Sequence, residues 1–195
     1  QEPAFPWLSM IDLAHPIDVL SCDDSSVGEG GTAWIRCVKV SGQMVAVKTF
    51  KRWCLREEVA AKREIAVLST AKHPHLIGLV TVEVSTGVPR LIMEFCAGGD
   101  LFNLLHRAAV EVSTAHMYGM LTDISEAMRY LHCHQPMIMH RDLKTLNVLL
   151  RSEYSQAARP SVKLCDFGSS RMKELGEDAG WSSLTRCVGT VPWMA

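Results

Sequence analysis

An α+β fold is predicted for this chain of 195 residues, with a strand-rich N-terminal part and a helical C-terminal part. Residues 44–48 alternate between two faces, which is the period of a β-strand. Residues 55–71 are rich in Glu, Lys, Arg and Ala, and a second helical pattern follows Ser113. Strands and helices are segregated along the chain rather than alternating. This order predicts a strand-rich part and a helical part that are joined near residues 94–99.

Residue patterns predict the extension, the strands and the first helix of the N-terminal part. Residues 1–16 are mixed in character and read as an extension, and a strand-like pattern begins at Ile17. The first helix is predicted to end at His73-Pro74, because the residue before a proline avoids the helical region. The other predicted strands of this part cover residues 34–40, 76–83 and 90–95.

The helical part follows a glycine break at residues 97–99. Ser113 or Thr114 can cap its long helix, and residues 146–150 read as a short buried strand. Apolar residues in steps of three and four form one stripe, and a Met-rich stripe of this kind is typical of a core. The stripe comprises Met117, Met120, Leu121, Ile124, Ala127, Met128 and Leu131.

Composition and charge exclude several classes of function. The net charge of -1 argues against a nucleic-acid-binding surface. The longest apolar runs fall well short of the roughly 18 residues of a membrane span. Seven cysteines, an odd number without a Cys-x-x-Cys pair, predict reduced thiols and a cytoplasmic location. His73 with His75, and residues 132–134, lack a second ligand pair at zinc-site spacing and are predicted to be structural.

A glycine-rich segment and a lysine suggest phosphate binding. Residues 28–31 read Gly-Glu-Gly-Gly before a strand, where small residues let backbone amides approach a phosphate. Lys48 shares a strand face with a small alanine and could neutralise phosphate charge, although a surface lysine beside a buried strand is the ordinary alternative. Glu64 is the preferred carboxylate partner in the following helix, with Glu57 and Glu58 left as alternatives.

Three later motifs carry a family resemblance. Residues 140–147 read His-Arg-Asp-Leu-Lys-Thr-Leu-Asn, residues 166–168 read Asp-Phe-Gly, and residues 189–195 read Gly-Thr-Val-Pro-Trp-Met-Ala. In this order they resemble the catalytic loop, the metal-binding motif and the activation-segment end of eukaryotic protein kinases. The resemblance implies a bilobal fold with a β-rich N-lobe and a mainly helical, incomplete C-lobe. Its implied parts are an extension at 1–16 and a kinase domain at 17–195, divided into an N-lobe (17–93), a hinge (94–98) and a partial C-lobe (99–195).

The resemblance also implies ATP as co-substrate, Mg²⁺ as cofactor and proteins as substrates. Asp142 would orient the substrate hydroxyl and accept its proton, and Lys144 would neutralise the transferring phosphate. Asn147 and Asp166 would hold the metal ions. His140, Phe167 and Leu68 would belong to the internal spine of the fold. The residues implied for ATP binding are Val27, Gly28, Glu29, Gly30, Gly31, Ile35, Ala46, Lys48, Glu64, Met93, Glu94, Cys96, Asp100 and Leu149.

The class of kinase follows from mixed features. Lys144 and Thr190 resemble serine/threonine kinases, whereas residues 193–195 resemble tyrosine kinases and the tyrosine-kinase-like group. This mixture is similar to that of the tyrosine-kinase-like group, which implies serine/threonine chemistry in signal transduction. An upstream kinase would act on the activation segment, and Arg141 would receive the new phosphate. The candidate phosphosites are Ser182, Ser183 and Thr185.

Three departures from the family pattern leave alternatives open. Ala33 replaces the third glycine of the glycine-rich motif, residues 151–161 form a longer connection than usual, and the chain stops at Ala195. From the last departure we expect residues 1–195 alone to unfold without a sharp transition. The alternatives to an active kinase are a pseudokinase that acts as a binding module and an inactive partial product. The kinase could be free in the cytoplasm or the inner part of a membrane receptor.

Overall fold

The computed structural model describes residues 24–29, 32–40, 42–84 and 87–173. The predicted extension, Gly30, Gly31 and the candidate phosphosites Ser182, Ser183 and Thr185 lie outside the described residues. The chain divides into two compact units, the first ending at Phe95 and the second comprising residues 73–76 and everything from Cys96 onward. The division after Phe95 falls inside the predicted hinge, and the domain boundaries stay a prediction.

The first unit contains an antiparallel sheet with the strand order β1-β2-β3-β5-β4. Alternating apolar residues on β2 and β3 form a core on one face, with Val38, Val45, Val47 and Ile92 buried together. This agrees with the alternation predicted for residues 44–48. The elements are β1 (Asp24–Glu29), β2 (Ala33–Val40), β3 (Gln43–Phe50), α1 (Leu55–Thr70), β4 (Leu79–Glu83) and β5 (Arg90–Glu94).

Two boundaries of this unit test the sequence prediction. Helix α1 ends at Thr70, in agreement with a stop before His73-Pro74. The strand predicted from Leu76 is wrong at its start, because β4 begins only at Leu79. Leu76 belongs to the second unit, where it forms a parallel bridge with Leu164.

Among its described residues, the second unit contains two α-helices and two small antiparallel sheets, β6 with β9 and β7 with β8. The short helix α2 was not predicted. Its cap is Asp100, whose Oδ1 accepts a hydrogen bond of 2.8 Å from the backbone N–H of Asn103. The elements are α2 (Leu101–His106), α3 (Thr114–Cys133), β6 (Met137–Met139), β7 (Val148–Leu150), β8 (Val162–Leu164) and β9 (Arg171–Lys173).

Helix α3 begins where the sequence predicted it. Ser113 is the cap, and its Oγ accepts a hydrogen bond of 3.2 Å from the N–H of His116. The apolar stripe is buried only along the edge that packs against β6 and β8. Met120, Ala127 and Leu131 are buried there, whereas the side of the stripe carrying Met117 and Leu121 is 39% and 57% exposed. The core prediction is therefore wrong for Met117 and Leu121, because one helix face meets these strands through less than its full width.

The strand β7 starts later than the sequence predicted. Residues 145–147 form a 3-10 turn, so the strand predicted from Leu146 starts at Val148 instead.

Within the described ranges, no helix has both the length and the apolar character needed to cross a membrane. The cysteines in the same ranges are thiols outside any disulfide: Cys37, Cys54, Cys96, Cys133 and Cys165.

Candidate active site

A buried ion pair joins β3 to α1 in the first unit. Lys48 Nζ lies 2.9 Å from Glu64 Oε1 and 2.7 Å from Glu64 Oε2. Only 8% of Lys48 and 1% of Glu64 are exposed, so the two charges compensate each other away from water. Of the glutamates left open by the sequence, Glu64 is the partner of Lys48, because Glu57 accepts a bond from the Cys54 thiol and Glu58 pairs with a surface lysine.

The strand register places the other predicted residues of this unit in two rows. Ile35 of β2 lies opposite Lys48 on one side and opposite Gly28 of β1 on the other. Ala46 lies between Cys37 of β2 and Met93 of β5. Cys37 was missed by the sequence reasoning, although it lies two residues beyond Ile35 and therefore on the same strand face. The remaining predicted positions are Val27 at the β1 bulge, Glu29 at the end of β1 and Glu94 at the end of β5.

The second unit brings Asp142, Lys144 and Asn147 together. Lys144 Nζ lies 2.9 Å from Asp142 Oδ2. Asn147 Nδ2 donates to the Asp142 carbonyl at 2.8 Å and to Asp142 Oδ2 at 3.2 Å. The 3-10 turn at residues 145–147 folds the chain back, so that side chains separated by five positions meet. The result is a carboxylate held by a cation and an amide and only 11% exposed.

Asp166 is positioned by the residues on both sides of it. The N–H of Cys165 donates to the Asn147 carbonyl at 3.0 Å, which ties the start of the Asp-Phe-Gly motif to the catalytic loop. Phe167 is fully buried, and its ring centroid lies 4.9 Å from that of His140. Arg141 and Asp166 both have φ of 63°, a left-handed conformation that is unfavourable for residues other than glycine. Strained residues of this kind concentrate at functional sites.

The three remaining predicted residues, Cys96, Asp100 and Leu149, lie in the second unit. Cys96 is buried, and its carbonyl accepts a hydrogen bond from the N–H of Gly99. Asp100 forms an antiparallel bridge with Leu149 of β7, so these two predicted residues are neighbours. The Asp100 carboxylate contacts Asn103 at the start of α2. Its predicted contact with a ribose stays a prediction.

His140 is expected to make stability fall in mild acid. Burial lowers the pKa of His140 below its ordinary value of 6.5. Its Nε2 donates to the Cys165 carbonyl at 3.1 Å, and its Nδ1 accepts from the N–H of Asp142 at 3.4 Å, an arrangement that requires the neutral ring. The unfolded chain therefore takes up this proton at a higher pH than the folded chain. The free energy of unfolding should thus fall as the pH drops below the ordinary value of 6.5.

Urea unfolding of the wild type and His140→Gln, measured at about pH 7.5 and about pH 5.5, tests this expectation. His140→Gln should lose less stability between the two pH values than the wild type. His132→Gln is the matched control, because it replaces an exposed histidine of α3. Equal losses in the wild type and His140→Gln would contradict the expectation.

The structure also gives contacts of His73 and Asp123 that the sequence did not identify. His73 stacks on Tyr130 with ring centroids 5.0 Å apart, and no group of three possible metal ligands occurs among the described residues. Asp123 is 1% exposed and therefore a buried charge within the apolar stripe of α3. A single aspartate inside such a stripe is the sequence signal that could have revealed it, because buried charges require specific partners.

Comparison with known proteins agrees with this geometry. The family model described as the protein kinase domain matches residues 23–195. The serine/threonine-protein kinase CTR1 of Arabidopsis thaliana is 28% identical over 92% of this chain and 21% of its own length. The mitogen-activated protein kinase kinase kinase 7 of Drosophila melanogaster is 32% identical over 87% of this chain and 23% of its own length. The serine/threonine protein kinase OSK3 of Oryza sativa is 34% identical over 77% of this chain and 28% of its own length.

The chain thus spans only 21% to 28% of the length of these curated relatives. The matched region nevertheless contains every described residue from Asp24 to Lys173, including the Lys48–Glu64 pair and the Asp142 cluster. The predicted kinase resemblance and the α+β fold are confirmed. This chain belongs to the protein kinase family.

Proposed function

We propose that the protein containing this chain is a serine/threonine kinase that transfers the γ-phosphate of ATP to protein hydroxyls. The observation that carries the proposal is the contact of Asp142 Oδ2 with Lys144 Nζ at 2.9 Å, beside Asn147. Phosphoryl transfer requires little covalent work from the protein, so its catalysts need a positioned base and positioned positive charge. This cluster supplies both within one turn of the chain.

Asp142 would hold the substrate hydroxyl and accept its proton during transfer. The ammonium of Lys144 lies on the same carboxylate and would stabilise the negative charge that develops on the phosphoryl oxygens. Asn147 supports Asp142 through two hydrogen bonds from its amide nitrogen. These bonds restrict the rotation of the carboxylate, and catalysis by a general base depends on such orientation.

The chemistry of Asn147 and Asp166 fits the proposed Mg²⁺. This ion takes oxygen ligands, and Asp166 supplies a carboxylate. Because Asn147 uses its amide nitrogen on Asp142, the amide has a fixed orientation in which its oxygen is the remaining polar atom. Bound Mg²⁺ would neutralise charge on the phosphates of ATP. The hydrogen bond from the N–H of Cys165 to the carbonyl of Asn147 holds together the two chain segments that carry the proposed ligands.

The proposed nucleotide contacts in the first unit start with Lys48. Its ammonium would bind the α- and β-phosphates, and Glu64 orients it with two short contacts. Ile35 and Ala46 would contact adenine, since the register places them in the rows of Lys48 and Met93. The other proposed nucleotide contacts are Val27, Gly28, Glu29, Gly30, Gly31, Glu94, Cys96, Asp100 and Leu149.

Two features support serine/threonine specificity. Lys144 resembles the serine/threonine pattern, and the three relatives compared include two that are named serine/threonine kinases. The Arabidopsis and Drosophila relatives are of the tyrosine-kinase-like type, which is the group predicted from the mixed motifs. Activation by phosphate at Ser182, Ser183 or Thr185, and a cytoplasmic location, stay predictions.

The test is phosphate transfer from labelled ATP to a generic protein substrate by the full-length protein, followed by analysis of the labelled amino acid. Label on serine or threonine that depends on added Mg²⁺ would support the proposal. Label on tyrosine would contradict the specificity but not the kinase activity. Bound nucleotide without transfer would favour the pseudokinase, and neither binding nor transfer would favour an inactive product.

A further inference from the structure

The long connection between β7 and β8 lies along α3. We call residues 151–161 the strap. The N–H of Arg151 donates to the carbonyl of Ser161 at 3.0 Å and closes its base. The hydroxyl of Tyr154 lies 2.9 Å from Nδ1 of His116 on the first turn of α3, with the two rings edge to face. The strap is therefore anchored to the helix through side chains and differs from an ordinary projecting loop.

Arg159 of the strap crosses α3 at a glycine. Its Nη2 donates to the carbonyl of Gly119 at 2.9 Å and also contacts Asp123 Oδ1. A Cβ atom at Gly119 would lie 2.9 Å from Arg159 Nε, which is too close for the present position of the guanidinium. Glycine in a helix interior is unfavourable relative to alanine. The absence of a side chain at Gly119 leaves room for Arg159, which explains why a glycine stands inside this helix.

Asp123 links Arg159 to β8, because its carboxylate contacts both. Its carboxylate is buried, and Oδ2 accepts a hydrogen bond of 3.1 Å from the N–H of Val162, the first residue of β8. His75 Nδ1 lies 3.4 Å from the same oxygen and 3.0 Å from the Val162 carbonyl. The peptide groups of Val162 are thus held by two side chains, and the charge of one of them is compensated by Arg159.

β8 leads directly to the Asp-Phe-Gly motif. The N–H of Leu164 donates to the His75 carbonyl at 2.9 Å, and the N–H of Cys165 donates to the Asn147 carbonyl at 3.0 Å. The N–H groups of Val162, Leu164 and Cys165 thus donate to Asp123, to His75 and to the catalytic loop, respectively. A displacement of Val162 would therefore be transmitted along a short strand that is held by these hydrogen bonds.

We propose that Arg159 is a positioning residue for Asp166 and acts through the Asp123 carboxylate and the backbone of β8. The proposal rests on the proposed function of Asp166 in phosphate transfer. Without Arg159, the buried carboxylate of Asp123 keeps only His75 and the Val162 N–H among these partners. It is then expected to draw toward water, and the Val162 peptide loses a fixed acceptor.

Hydrogen exchange and kinetics on the full-length protein test the proposal together. Arg159→Ala should lower the protection of the Val162 and Leu164 amides by about tenfold, and should lower kcat by about tenfold with an unchanged KM for the protein substrate. The same variant should need more Mg²⁺ for half-maximal rate. Arg159→Lys should restore part of each loss, because the ammonium can still approach Asp123. Arg151→Ala, an exposed arginine at the other end of the strap, should match the wild type.

The outcomes separate the two ideas. Unchanged amide protection in Arg159→Ala would overturn the coupling between the strap and β8. Reduced protection with wild-type kcat and Mg²⁺ dependence would show a structural strap and overturn the positioning role. A wild-type protein that transfers no phosphate would overturn the proposed function, and hydrogen exchange would still decide whether Arg159 orders β8.

A double-mutant cycle tests the crossing at Gly119 without any activity. Gly119→Ala alone should raise the equilibrium constant of unfolding, because the new methyl group displaces Arg159. In the Arg159→Ala background the same change should lower that constant by about fivefold, which is the ordinary helix preference for alanine. A shift of equal sign and size in both backgrounds would contradict the crossing.

Discussion

Asp142→Asn is expected to lower the rate constant of phosphate transfer by about 10²- to 10⁴-fold, with little change in the KM for ATP. The substitution keeps the shape of the side chain, and an amide oxygen can still accept from Lys144, which lies 2.9 Å from the wild-type carboxylate. The amide cannot accept the hydroxyl proton, so the loss falls on the chemical step. Steady-state kinetics with saturating ATP and peptide substrate measure it.

Glu111→Gln is the matched control for this experiment, because it neutralises an exposed carboxylate ahead of α3. Its rate constant should equal that of the wild type. Thermal unfolding of Asp142→Asn should remain close to wild type, which separates lost chemistry from lost structure. More than a tenth of the wild-type rate in Asp142→Asn would remove this residue from the role of base.

Glu64→Gln is expected to lower the free energy of unfolding of the first unit by about 3 kcal/mol. The substitution removes the carboxylate charge that contacts the Lys48 ammonium at 2.7 and 2.9 Å, where Lys48 is only 8% exposed. Urea unfolding monitored in this unit measures the loss. Glu58→Gln in the same helix is the matched control, because the Glu58–Lys62 pair has a similar distance of 2.8 Å on the surface. That control should lose less than about 1 kcal/mol.

A double variant separates the structural and functional roles of the pair. Lys48→Met combined with Glu64→Leu removes both buried charges and keeps apolar volume. It should recover most of the stability lost in Glu64→Gln, since an apolar replacement of a buried pair is often neutral or stabilising. Its affinity for ATP should be lower than that of the wild type, because the ammonium proposed to bind the phosphates is gone. Recovered nucleotide binding would show that Lys48 and Glu64 serve the fold alone.

Local patterns were sufficient to predict most of the first unit and the order of the main elements. Alternation over residues 44–48 predicted β3, and the His73-Pro74 stop predicted the end of α1 within a few residues. These predictions succeeded because each depends on a period or a breaker that acts over one element.

Other features depended on contacts between distant residues. Helix α2 has only six residues, too few to show a period, and the Asp100 cap was its only local signal. Leu121 belongs to the predicted stripe and is exposed because burial depends on where the neighbouring strands end. The environment of Asp123 requires Arg159 and His75, which are far from it in sequence. No pattern within α3 specifies those partners.

The left-handed backbone at Arg141 and Asp166 has a consequence for protein engineering. Glycine adopts a φ of 63° without the steric penalty that other residues incur, about 1 kcal/mol or more for each residue. In a library of variants ranked by thermal stability, this steric term favours glycine at both positions and acts against the loss of side-chain contacts such as the Arg141 Nε bond to the Ser169 carbonyl. The same library ranked by phosphate transfer should reject glycine at Asp166. Selection for thermal stability alone would thus favour variants that keep the fold but transfer no phosphate.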